Sequence, residues 1–212
     1  MEEHHITVPR TARYHTLGDA RTAKAIWIVL HGYGHLARYF LRSFDGMEQD
    51  LMIAAPEGLS RYYTNEEHTR VGATWMTRED REHEIADQIT YLDRLAEALR
   101  NHCPVGIPLR VLGFSQGVAT GCRWLCLGTS RAERLVLWGG NMPPELSQAT
   151  LAERFRSTDV HLVHGEKDPL VPLESLAASE ARLRAANVPR STHRFDGAHA
   201  LNKILLQRLV TA

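Results

Sequence analysis

Short apolar runs that alternate with helical patterns constrain this chain most. Ala25–Leu30 (AIWIVL), Leu51–Ala55 (LMIAA), Leu109–Gly113 (LRVLG), Leu135–Trp138 (LVLW) and Val160–His164 (VHLVH) are continuous rather than alternating. Each is bounded by Gly or Pro, and Thr192–Phe195 is a weaker sixth. Runs without polar interruption fit strands buried on both faces, as in a parallel sheet covered by helices. Helical spacing fills the gaps: Ile85, Ile89, Leu92, Leu95 and Leu99 mark a helix over 81–101, and further helices are expected over 118–127, 176–186 and 200–210. Asn187 and Pro189 predict the stop of the third. Pro9–Leu17 is expected to supply an edge strand, and Glu57–Asp80 shows no period and reads as a long loop. Strand–helix alternation argues for right-handed βαβ units and an α/β architecture.

With 212 residues, no repeat and no Gly/Ser-rich linker, a single α/β domain over 1–212 is expected. Lysine plus arginine equals aspartate plus glutamate, 25 against 25, so no basic surplus points to nucleic acid. The longest apolar run is too short to span a bilayer, and no secretory signal pattern opens the sequence. Cys103, Cys122 and Cys126 read as free thiols in a reducing compartment, so a cytoplasmic protein without stable membrane association is expected.

In open α/β sheets the chemistry lies beyond the carboxyl ends of the strands. After Leu109–Gly113 comes Phe114-Ser115-Gln116-Gly117, which completes the spacing Gly113-x-Ser115-x-Gly117. That spacing puts a serine on a tight strand-to-helix turn and the N–H of Gln116 at a helix N-terminus, where it can hold an oxyanion. After Val160–His164 comes Asp168, within Gly165-Glu166-Lys167-Asp168-Pro169. After Thr192–Phe195 comes His199, just before the last helix. A turn aspartate and a capping histidine are the ordinary readings of the last two. Their order Ser115, Asp168, His199, each after its own strand, favours a triad. Asp196 remains a rival for the acid. Asp159 precedes its strand, His161 and His193 lie within strands, and His164 ends one. After Ala25–Leu30, the turn His31-Gly32-Tyr33-Gly34 offers the N–H of Tyr33 or of Gly32 as a second oxyanion donor, with His31 as loop support.

Metal readings are weak. His31 and His35 are interrupted by two glycines, and Cys122 and Cys126 lack a second ligand pair, so small residues on a packed helix explain the cysteines. His4-His5 reads as a polar terminus. Gly32-x-Gly34 lacks the third glycine of a dinucleotide fingerprint.

Together HGYG, GFSQG, HGEKDPLVP and GAH resemble the phospholipase/carboxylesterase family of α/β-hydrolases, which includes the acyl-protein thioesterases, from about Ala25 to the last helix. The resemblance implies a catalytic triad of Ser115, Asp168 and His199. It implies an oxyanion hole from the N–H groups of Tyr33 and Gln116, substrate contact at Gly32, and Trp75 beside the acyl site. It also implies a minimal α/β-hydrolase fold with helices on both faces of the sheet, and no cofactor. The segment 141–159 holds only one short helix near 151–155, so no cap domain is expected. His35 stands where the family often has aspartate, and Met76-Thr77 follow Trp75 where it often has aromatic-Asp. The expected activity is a serine carboxylesterase acting on short- to medium-chain esters of small-molecule substrates. The alternatives are an acyl thioesterase or lysophospholipase of the same family, or a non-catalytic binding module that keeps the fold.

Overall fold

The computed structural model describes residues 1–212. Six parallel strands and one antiparallel edge strand form the central sheet, in the spatial order β1-β3-β2-β6-β7-β8-β9. They are β1 (Tyr14–Leu17), β2 (Ala25–Leu30), β3 (Leu51–Pro56), β6 (Leu109–Phe114), β7 (Arg134–Trp138), β8 (Asp159–Gly165) and β9 (Arg190–Phe195). The edge strand expected within 9–17 is β1, which pairs antiparallel with β3 in the register Tyr14 to Pro56 and Leu17 to Ile53.

The apolar runs are continuous because both faces of the sheet are covered. In β2, Ile26, Ile28 and Leu30 enter one core, with Leu92, Leu95 and Leu99 of α2 (Arg81–Arg100) and Val118 and Cys122 of α3 (Gln116–Leu127). Leu151 of α4 (Gln148–Arg154) and Leu183 of α5 (Leu173–Ala185) complete that face. The alternate residues Trp27 and Val29 enter a second core with Phe40 of α1 (Ala37–Leu41) and Leu206 and Leu209 of α6 (Lys203–Thr211). Burial of these large side chains is worth roughly 1.5–3 kcal/mol each. Among the connections, 141–159 carries only the short helix α4, so no cap stands over the sheet. Asn187 ends α5 as its spacing suggests: it takes a left-handed φ of 54°, and the N–H of Val188 reaches back to Leu183 O at 3.0 Å.

One expectation fails. Residues 57–80 are not a plain loop but contain a two-stranded antiparallel hairpin, β4 (Ser60–Tyr63) with β5 (Val71–Thr74). Each strand is only four residues long, too short to show a period. Its order comes from long-range bonds: Gly34 N donates to Ala73 O at 2.9 Å, and Ala73 N donates to His35 O at 3.3 Å. The hairpin is therefore splinted to the turn that follows β2. Helix α1 leaves no mark in the sequence either, since five residues carry no visible repeat.

Candidate active site

The turn from β6 into α3 is tight. Ser115 sits on it at φ 55° and ψ −116°, a conformation that costs a non-glycine residue on the order of 1–3 kcal/mol. The surroundings hold it there: Ser115 N donates to Trp138 O at 2.9 Å, and Val118 N donates to Ser115 O at 3.0 Å. The flanking glycines are steric requirements. A Cβ on Gly113 would fall 2.7 Å from Val118 N, and one on Gly117 would fall 2.9 Å from His31 O. The strained turn leaves the Ser115 side chain half-buried at the mouth of a cavity of about 520 Å³, within the range of small-molecule sites.

His199 opens onto the same cavity, from the connection between β9 and α6. Its Nδ1 lies 2.7 Å from Oδ2 of Asp168, in the loop after β8. The Asp168 side chain is 1% exposed, and its other oxygen accepts the N–H groups of Leu170 at 2.8 Å and Val171 at 3.0 Å. Burial alone would raise the Asp168 pKa. The bonds from His199 and from those two N–H groups outweigh it and hold the carboxyl below its ordinary value. A carboxylate on Nδ1 makes that nitrogen the donor and leaves Nε2 with its lone pair. The rival Asp196 points to solvent, paired with Lys167 at 2.5 Å and 71% exposed. Asp159, His161 and His193 form their own chain at the other strand positions, with contacts of 2.7 and 2.9 Å, and none lines the cavity. His164 is buried.

On the opposite side, Gly32 and Tyr33 border the cavity. The N–H of Tyr33 and that of Gln116, the first residue of α3, donate to no acceptor in the protein. Behind them lies a neutral network. His31 is fully buried; its Nε2 accepts the N–H of Gly58 at 3.0 Å, so Nδ1 is the protonated nitrogen and donates to Gly32 O at 2.8 Å. Burial depresses its pKa to about 4, against the opposing pull of the Gly32 carbonyl, so the ring is neutral at neutral pH.

Trp75 belongs to this network. It is 2% exposed, donates Nε1 to His31 O at 2.9 Å and packs on the His31 ring at 5.0 Å. It does not line the cavity that holds Ser115; it lies one layer behind. The side chain of Gln116 locks it there, accepting Trp75 N at 3.1 Å and donating to Met76 O at 2.9 Å. The sequence points only to the backbone of Gln116, because nothing local says where a glutamine side chain will reach. The cavity's apolar wall comes from Phe40, Phe114, Leu170 and Leu201, with His35 and Ser43 as its polar members. Of these, Phe114 carried a signal as the residue next to the serine, and His35 as the residue after the HGYG turn. A larger cavity, about 660 Å³, lies between the N-terminal segment and α2, but it contains none of Ser115, Asp168 and His199.

Residues 16–211 match the family model described as Phospholipase/Carboxylesterase. Among solved structures, the fold is similar to that of esterase PE8, with 18% identity, a TM-score of 0.72, and coverage of 95% of this chain and 97% of that one. It is similar to Zea mays acyl-protein thioesterase 2, with 20% identity, a TM-score of 0.70 and coverage of 94% and 96%. It is also similar to the Bacillus cereus carboxylesterase, with 14% identity, a TM-score of 0.70 and coverage of 94% and 92%. No curated protein matches the chain by sequence. No helix is long and apolar enough to cross a membrane.

Proposed function

The chain belongs to the phospholipase/carboxylesterase family of α/β-hydrolases, and from that premise we propose that it is a serine carboxylesterase working through an acyl-enzyme on Ser115. The observation that carries this reading is one juxtaposition. A serine strained at φ 55° shares a cavity with a histidine whose Nδ1 is held at 2.7 Å by a buried carboxylate.

The hydroxyl of Ser115 attacks the acyl carbonyl, and Nε2 of His199 takes its proton. The carbonyl oxygen becomes the oxyanion and accepts the N–H groups of Tyr33 and Gln116. Asp168 stays ionised, fixes the tautomer of His199 and stabilises the imidazolium. Collapse breaks the ester C–O bond, and the leaving alcohol takes the proton from His199. Water then adds to the acyl-enzyme by the same steps, with His199 again as base, and the acid leaves. No step calls for a cofactor.

The cavity suits a short or medium acyl group. Its wall is apolar at Phe40, Phe114, Leu170 and Leu201, and no cap stands over it. A site without a lid has nothing for a lipid surface to open. We expect kcat/KM to favour p-nitrophenyl esters from acetate to octanoate over palmitate, with no rise above the critical micelle concentration. Measuring that series on both sides of the threshold is the test. A preference for palmitate, or activation at the interface, turns the reading toward a long-chain thioesterase or lipase. Failure to label with a fluorophosphonate turns it toward a binding module.

A further inference from the structure

Away from the cavity, the N-terminal segment folds back onto the start of α2 and brings two histidines and an aspartate together from distant parts of the sequence. We infer that His5, Asp80 and His83 form a binding site for a divalent transition-metal ion of the Zn²⁺ class. One ligand atom from each of the three lies within 4.8 Å of the others. His83 Nδ1 is 2.6 Å from Asp80 Oδ1, and His5 Nε2 is 3.3 Å from the same oxygen. The two imidazole rings stack at 4.0 Å between centroids, and each brings one nitrogen to that same carboxylate oxygen; to share an ion in both ring planes, the exposed rings fan apart from the stack. Glu3 offers a fourth donor, its Oε1 lying 3.4 Å from His5 Nε2.

The donor chemistry selects the ion. Two imidazoles with one or two carboxylates suit Zn²⁺, Co²⁺ or Ni²⁺ better than Ca²⁺ or Mg²⁺, which prefer all-oxygen sets. Ligands about 2.0–2.1 Å from a tetrahedral ion stand roughly 3.4 Å from one another. The His5–Asp80 pair already has that spacing. The closer His83–Asp80 pair has only to exchange the proton it shares for the ion and open slightly. The side chains of His5, Asp80 and His83 are 44%, 42% and 57% exposed, so an ion enters from water with no path to clear.

Binding here has a structural consequence. Between His5 and β1 the chain passes Val8, Pro9 and Arg10, which border the 660 Å³ cavity with Trp75 and Tyr91. The Arg10 guanidinium also donates to Leu59 O on the hairpin side. An ion at His5 pins the far end of this segment and so fastens it across the cavity.

The experiment uses the full chain without an affinity tag, titrated with ZnCl₂ by calorimetry and with CoCl₂ by visible absorption. We expect one saturable site, cobalt bands of tetrahedral intensity, and affinity at least about tenfold weaker in His5→Gln and in His83→Gln. Zn²⁺ should slow tryptic cleavage after Arg10 in the wild type and not in the double variant. Circular dichroism establishes that the variants are folded; both residues are on the surface, outside the catalytic cavity. No saturable binding in the wild type overturns the inference. So does unchanged affinity in the folded double variant, which would place the ion on others of the twelve histidines.

Discussion

The two sides of the cavity are built on different physics. On one side the turn Gly32–His35 is held by neutral groups: the His31 ring, the Trp75 indole, the Gln116 amide and the backbone of β5. On the other, Asp168 gathers His199, Leu170 and Val171 around one buried charge. The neutral side sets where two N–H groups stand; the charged side sets which nitrogen of His199 carries the proton. A change on the charged side therefore alters chemistry with little movement. A change on the neutral side moves a backbone with little effect on charge.

Four experiments press on that contrast, beginning with Ser115, the proposed nucleophile that both sides flank. Ser115→Ala should lower kcat by about 10⁴-fold or more while the thermal transition stays cooperative. A variant retaining a tenth of wild-type turnover removes Ser115 from the mechanism. On the charged side, Asp168→Asn should cost about 10⁴-fold, because the amide favours the wrong tautomer of His199. Asp196→Asn, which severs only an exposed pair with Lys167, should stay close to wild type. If the two variants rank the other way, the charged side has been assigned to the wrong carboxylate.

The neutral side should respond more gently. Trp75→Phe keeps most of the packing and loses the hydrogen bond to His31 O, so the Tyr33 N–H shifts by a fraction of an ångström. A loss on the order of tenfold to 10²-fold in kcat is expected, with the shape of the pH profile unchanged. A shifted pH profile in this variant would mean that the two sides are coupled. The smallest effect concerns acid stability. His31 takes up a proton at about 4 in the fold and at about 6.5 in the unfolded chain. Between those values the unfolded state binds more protons, so stability falls as pH drops from about 6.5 through about 4. Asp168, also depressed, adds a loss at lower pH, as its carboxylate takes a proton in the fold. In His31→Gln, urea midpoints measured from neutral pH down to about 4 should fall less steeply than in wild type. Parallel slopes for the two proteins would show that His31 is not the titrating group.

How much of this was legible follows from where each signal lies. Ser115 announced itself because glycines two residues away on either side are demanded by backbone that passes within a Cβ radius. Asp168 and His199 could be placed at one end of the sheet because each follows an expected strand, an apolar run for Asp168 and the weaker Thr192–Phe195 for His199. The choice of Asp168 over Asp196 needed the coordinates: both aspartates precede His199 in a loop, and only one carboxylate is buried and aimed at the ring. Trp75 was expected beside the acyl site; it does not line the cavity that holds Ser115 and instead supports the turn through His31. A sequence places a residue along a chain, but depth in a structure is measured across it.

The same division holds for the molecule as a whole. By itself the sequence determined the layered sheet, the strands that end at the site and the residues of the Ser115 turn. These rest on local sterics and on hydrophobic period, both of which act over a few residues. Only the tertiary structure decided the hairpin's bond to the turn after β2, the lock of Gln116 on Trp75, and the meeting of His5 with Asp80 and His83. Those are contacts between segments far apart in the chain. Their partners are selected by how the two cores close, and no short window of residues encodes that geometry.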